Sequence, residues 1–229
     1  MRPLTPRDQA PRQPGLSTRA LVAIILGGAL LVALAFGVGR LTAPTVSTPS
    51  NTSAEAGFSR DMQEHHNQAV RMSMIVLQAT DDPEITTLAY DIATAQQQQA
   101  GQMFGWLEVW GLPQAPSEPS MTWMSRPTLD GGDHDHGGEG ASGHSHTPGE
   151  PMPGLATAEQ MAKLETLEGI EAEVYFLELM IEHHMGGVEM AEAVLERSTN
   201  PVVTKLAKGM VTVQDKEIVF MNELLEARR

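Results

Sequence analysis

Two adjacent histidines, preceded by a methionine and a glutamate, occur twice in this chain: Met62-Gln63-Glu64-His65-His66 and Met180-Ile181-Glu182-His183-His184. Met72 and Met190 follow at the same offset in each copy. Imidazole nitrogen binds zinc, copper, iron or nickel, and thioether sulfur binds soft Cu(I). The chain has no cysteine, so thiolate ligands and disulfides are both excluded. These residue types point to a nitrogen and thioether metal centre assembled from two related half-sites.

The histidine pairs belong to a longer repeat. At a spacing of 118 residues (183 − 65), positions 58–108 align without a gap on 176–226, with 18 identities over 51 positions. Pro83/Pro201, Leu88/Leu206, Gln96/Gln214, Met103/Met221 and Leu107/Leu225 are among them. A helix turns ~100° per residue, so the direction of each side chain can be read from its position. Met62, His66 and Ala69 share one face with His65 beside it; Met180, His184 and Gly187 share the equivalent face with His183 beside it. Glu55 and Glu173 fall on the same arcs if the helices extend that far back.

The second helix of each copy adds polar groups to an apolar arc. Gln96 and Gln99 fall among Ile85, Leu88, Ala89, Ile92, Met103 and Leu107, and Gln214 and Glu217 fall among Val203, Leu206, Met210 and Met221. Buried polar groups need partners, and a buried carboxylate needs a cation or a proton. One polar layer inside an apolar core follows. The metal reading makes His65, His66, His183 and His184 ligands and Met62, Met180, Met72 and Met190 soft ligands. Gln96, Gln99, Gln214, Glu217, Glu55 and Glu173 are then orienting or additional groups. The alternative is a structural network in which histidine and glutamine bond only to each other.

The elements that must position these groups are helical. Residues 58–80 and 83–110 read as the first hairpin, with Asp82 as N-cap before Pro83 and Gly111 as the stop. A short helix at 157–167 opens on the capping box Thr157/Gln160. Residues 170–198 and 201–228 form the second hairpin, with Asn200 capping the latter. The expected fold is all-α, a ferritin-like four-helix bundle from two tandem hairpins (58–112 and 156–229) preceded by one transmembrane helix.

The insert at 113–155 is Gly-, Asp- and His-rich in its middle and cannot bury enough surface to fold there. His134, His136, His144 and His146 in it are candidates for loose metal capture. Met121-Thr122-Trp123-Met124 is an apolar island expected to dock on the helices.

Residues 20–39 form an uncharged apolar stretch long enough to cross the ~30 Å hydrocarbon core. Arg2, Arg7, Arg12 and Arg19 precede it against Asp8, so the positive-inside rule keeps residues 1–19 cytoplasmic. A cleaved signal peptide ending near Ala33-Leu34-Ala35 is the competing reading. Either way the remainder is extracytoplasmic, on a flexible tether at 40–57. Setting aside residues 1–40, with five Arg and one Asp, leaves ten Lys+Arg against 28 Asp+Glu, a net charge of −18. Such a surface repels nucleic acid and attracts cations.

The paired Phe58–Met72 and Phe176–Met190 stretches resemble the motifs of domain-of-unknown-function family 305. Gly105-Trp106-Leu107, the Met121–Met124 island and Met152-Pro153-Gly154-Leu155-Ala156 are similar to its two-copy exported members. The resemblance implies a ferritin-like helical bundle, an extracytoplasmic location, a functional His-His pair and a connection with copper handling. The family's Asp ten residues before the first histidine is Glu55 and Glu173 here.

Three functions follow as expectations. The first is a membrane-anchored extracytoplasmic protein that binds metal, copper above all, for sequestration or delivery. The second is a structural or interaction bundle whose buried His/Gln layer sets helix register. The third is a metal-dependent oxidase of ferritin-like type, for which the core offers too few carboxylates to build a standard di-iron centre.

Overall fold

The computed structural model describes residues 17–42, 48–131 and 147–229. It is all-helical, with six α-helices, one 3-10 turn and no strand among the described residues. The chain divides into two compact units, Met1–Ser47 and Thr48–Arg229.

The first unit holds α1, Thr18–Thr42, whose most apolar 18-residue window has a mean hydropathy of 2.7 and which has no buried residue. Its 25 residues extend beyond the predicted 20–39 at both ends and reach roughly 37 Å at 1.5 Å per residue. Length and composition suffice to cross a bilayer.

The second unit contains α2 (Ala54–Ala79), α3 (Pro83–Trp110), α4 (Ala158–Leu164), α5 (Gly169–Leu195) and α6 (Pro201–Glu226). Helix α2 starts four residues earlier than predicted because Ser53 accepts the Ala56 N–H and caps it. Asp82 accepts from the N–H groups of Glu84 and Ile85, with Pro83 at the first helical position. Gly111, at φ +68°, ends α3 in the left-handed conformation that glycine adopts without steric cost. Both bonds of the Thr157/Gln160 capping box are formed, but α4 stops at Leu164, before the predicted 167. Helix α5 ends at Leu195, before the predicted 198.

Helix α2 packs on α3, α5 packs on α6, and α2 and α5 meet across the middle. Two apolar clusters result. One joins Met72, Val76, Ile85, Ile92, Phe176, Met180 and Met221. The other joins Phe58, Met62, Met103, Met190, Val194 and Met210. The later half of α2 shares a cluster with the earlier half of α5, and the reverse, so the two helices run antiparallel. The histidines lie between the clusters.

Matching clamps tie the hairpins together. Thr80, in the α2–α3 turn, donates to Glu173 on α5; Ser198, in the α5–α6 turn, donates to Glu55 on α2 at 2.6 Å. Each hydroxyl also accepts the N–H of the next helix's cap residue, Asp82 or Asn200. Thr80 and Ser198 are 118 residues apart, as are Glu55 and Glu173, so the clamps repeat with the sequence.

The apolar island docks as expected. Trp123 is 2 % exposed and meets Phe58 edge to face at 5.7 Å. Its indole N–H and the Met121 N–H both donate to Asp61 Oδ2, at 2.9 and 2.7 Å. Gly57 makes room for it: a Cβ there would lie 2.6 Å from the Trp123 side chain.

Candidate metal centre

The four histidines of the repeated pairs are fully buried. They form a row. The His65 and His183 ring centroids are 3.8 Å apart, His66 lies 6.3 Å from His65, and His184 lies 6.3 Å from His183. The rings of the two copies therefore meet at the α2–α5 interface, with His65 and His183 inside and His66 and His184 outside.

Every ring uses Nε2 and leaves Nδ1 free. His183 Nε2–H donates to the His65 main-chain carbonyl at 2.9 Å, and His65 Nε2–H donates to the Pro153 carbonyl at 3.1 Å. A carbonyl only accepts, so both inner rings carry the proton on Nε2 and a lone pair on Nδ1. His66 Nε2–H donates to Gln99 Oε1 at 2.7 Å, and His184 Nε2–H donates to Glu217 Oε2 at 2.8 Å. The four Nδ1 atoms are buried and have no hydrogen-bond partner. So are both amide atoms of Gln96 and the Oε1 of Gln214. An unpaired buried acceptor costs ~1–3 kcal/mol.

Burial keeps His65, His66 and His183 neutral. It pushes His65 down to about 3, with the charge of His66 adding to the effect. It pushes His66 down to about 4, against the Gln99 hydrogen bond. His183 is also driven well below the ordinary value, by burial first and then by His65 and His184. A neutral imidazole with a free lone pair is the form that ligates metal. Among the described residues, no three His, Asp or Glu side chains already stand as a closed ligand set. The donor chemistry of the row fits a borderline or soft cation, and closing on an ion requires ring movement.

The methionines flank the row from both sides. Met62 and Met190 lie in one apolar cluster, Met72 and Met180 in the other, and all four are fully buried. Gln96 and Gln214 are buried as expected, whereas Gln99 and Glu217 sit at the border of the layer and keep some solvent contact. An alanine Cβ at Gly187 would lie 2.5 Å from Gln214 Oε1, so the missing side chain lets that amide approach α5.

Glu55 and Glu173 correct the sequence reading. They share the angular face of the histidines, but Glu173 stands ten residues before His183, roughly 15 Å along the axis. Both serve the clamps, and Glu173 also pairs with Arg228 at 2.7 Å. They orient no imidazole. His134, His136, His144 and His146 lie outside the described residues.

Sequence reasoning missed the strap at Met152–Ala156. Its Pro153 carbonyl holds His65, and Gln68 pairs with both main-chain groups of Ala156, at 2.8 and 2.7 Å. A Cβ at Gly186 would lie 2.0 Å from Pro153 O, and one at Gly154 (φ +74°) would lie 2.3 Å from Glu182 O. The signal was present where the repeat breaks: Gln68 in one copy faces Gly186 in the other.

A family model described as Domain of unknown function (DUF305) matches residues 55–225. No curated protein matches this chain. A DUF305 protein structure from Streptomyces coelicolor is 48% identical with a TM-score of 0.67, covering 78% of this chain and 96% of its own. A DUF305 fragment from Deinococcus radiodurans is 31% identical with a TM-score of 0.57, covering 76% and 96%. CopM in its Cu(I)-bound form shares the fold at 22% identity and a TM-score of 0.53, covering 76% and 96%.

Proposed function

From the premise that this chain belongs to the DUF305 family, we propose that it binds metal outside the cytoplasm, with copper the expected ion, for sequestration or delivery. Helix α1 is the anchor in this reading, with the four arginines before its apolar core on the cytoplasmic side. The observation that carries the proposal is the row of four buried Nδ1 acceptors without partners. They are adjacent and flanked by thioethers, the donor set that copper accepts. CopM, which shares the fold, has been captured with Cu(I), Cu(II) and Ag. The acidic exterior supports cation delivery to the site.

His65, His66, His183 and His184 would hold the ion through Nδ1. Gln99, Glu217 and two main-chain carbonyls orient the rings from the other side, which raises ligand basicity. Gln96 and Gln214, whose buried amide atoms lack partners, are the further groups of the layer in this reading.

One observation favours a second reading. The inner rings spend their Nε2–H groups on main-chain carbonyls, which fixes helix register whether or not metal binds. The full chain, purified in detergent without an affinity tag, separates the two. Stoichiometric copper by elemental analysis, lost when all four histidines become alanine in a variant that keeps its helix content, is the expected result. Equal copper affinity in that variant removes the metal assignment and leaves the register reading.

A further inference from the structure

We propose that Glu217 makes the two halves of the histidine row unequal ligands, so that the His184 half supports a bound Cu(II) more strongly than a bound Cu(I) while the His66 half does not discriminate between them. The inference rests on the histidine row being the metal site. Its origin is one departure from the repeat. Advancing Gln99 by 118 gives Glu217, so a neutral amide in one copy is replaced by a carboxylate in the other. The contact itself is kept: His66 to Gln99 at 2.7 Å, His184 to Glu217 at 2.8 Å.

The two partners differ in what they do when an ion binds Nδ1. The ion draws electron density from the ring, and positive charge grows on Nε2–H. An amide oxygen answers with a dipole, a carboxylate with a full charge and a stronger, charge-assisted bond. The gain scales with the charge of the ion, so it is larger for Cu(II) than for Cu(I). Both rings are fully buried, which limits solvent screening of the difference. The Glu217 side chain is 23% exposed, so its charge does not depend on the metal for solvation. Outer-sphere partners of metal-bound histidine change affinity by roughly 10–100-fold.

The test uses the full chain in detergent, titrated with Cu(I) and with Cu(II) against chromophoric chelators. E217Q is expected to lower Cu(II) affinity about 10-fold or more and Cu(I) affinity less than about 3-fold. Q99E adds a carboxylate without deleting a contact and should raise Cu(II) affinity instead, so it carries the test if E217Q folds poorly. In the metal-free protein, the Nε2–H proton resonance of His184 should move upfield in E217Q and that of His66 downfield in Q99E. E223Q removes the same charge from an exposed site on α6 and should leave both affinities unchanged. Equal shifts for both ions in E217Q, or a Cu(II) loss in E223Q as large as in E217Q, overturns the inference. A wild-type chain that binds neither ion overturns the metal reading beneath it, a different result from wild-type binding that ignores residue 217.

Discussion

His183 donates its Nε2–H to the main-chain carbonyl of His65 over 2.9 Å, with the two ring centroids 3.8 Å apart. One copy of the repeat thus reads the backbone of the other. The reciprocal bond is absent, because His65 turns its own Nε2–H to Pro153 in the strap. The tautomer and the free Nδ1 lone pair of both inner rings follow from these two bonds. A side chain that must donate from Nε2 presents Nδ1 as an acceptor and nothing else.

The buried rings make the metal-free protein acid-sensitive. Burial, with charge from neighbouring rings, holds His65 near 3 and His66 near 4, and His183 well below the ordinary value. Below pH ~6.5 the unfolded chain takes up protons that the native state refuses, so stability falls as pH falls toward ~4. Each ring contributes up to ~1.4 kcal/mol per pH unit in that window. Asp61, raised by burial, acts in the opposite sense as one group. Urea midpoints should be flat above pH 7 and drop between pH 6.5 and 5; equal midpoints at pH 7.5 and 5 would contradict neutral buried rings.

Gly186→Ala should destabilise the fold through the strap. The new Cβ would meet the Pro153 carbonyl at 2.0 Å and the Gly154 nitrogen at 2.8 Å, both backbone atoms that yield only by moving the strap. Overpacking of this kind costs ~1–3 kcal/mol, and loss of the His65–Pro153 bond adds to it. Gly101→Ala on α3 meets nothing within 4 Å and should stabilise by ~0.5–1 kcal/mol through helix propensity. Thermal melts of the two variants should move in opposite directions. A G186A melt at or above wild type would mean that the strap does not seat against α5.

What the sequence disclosed and what it hid divide along physical lines. Capping is local chemistry, so Asp82-Pro83, Gly111, Asn200-Pro201 and Thr157/Gln160 marked their helix ends correctly. Helical period placed the four histidines inward, because the angle of a side chain follows from its number alone. Ser53 escaped notice within a Ser/Thr-rich stretch whose composition resembles a tether. Glu55 and Glu173 failed for another reason: angular projection ignores distance along the axis, and their clamps lie near the ends of the helices. The break in the repeat at Gln68/Gly186 marked the strap, but not its Pro153 carbonyl. A main-chain acceptor leaves no residue signature, and only the close approach of Gly154 and Gly186 betrays it.

The two clamps repeat in sequence but should differ in strength. Glu173 accepts from Thr80 and pairs with Arg228, and both charged side chains are only 8% exposed. Glu55 accepts from Ser198 at a partly exposed position. Glu173→Ala strands part of the guanidinium, whose remaining partners include Asp82 at 2.9 Å, and should cost about 2–4 kcal/mol. Glu55→Ala forfeits one hydrogen bond and should cost about 1 kcal/mol. Chemical denaturation of both variants gives the ordering, and equal losses would show that Arg228 adds nothing to the Thr80–Glu173 clamp.

Copper itself should raise the melting temperature if the row holds it. An ion that binds only the folded chain adds ~2.7 kcal/mol at a free concentration of 100 times its Kd. For a domain of this size, 1 kcal/mol shifts the midpoint by about 2–4 °C, so a rise of about 5–10 °C is expected. The gain reflects pairing of the four Nδ1 acceptors that the protein leaves without partners. Replacing His66 and His184 with Gln keeps a polar group beside Gln99 and Glu217 but removes both outer imidazoles, and it should abolish most of the shift. Calorimetric scans with and without Cu(I) on both proteins give the comparison. A shift of the same size in the variant would place the stabilising ion somewhere other than this row.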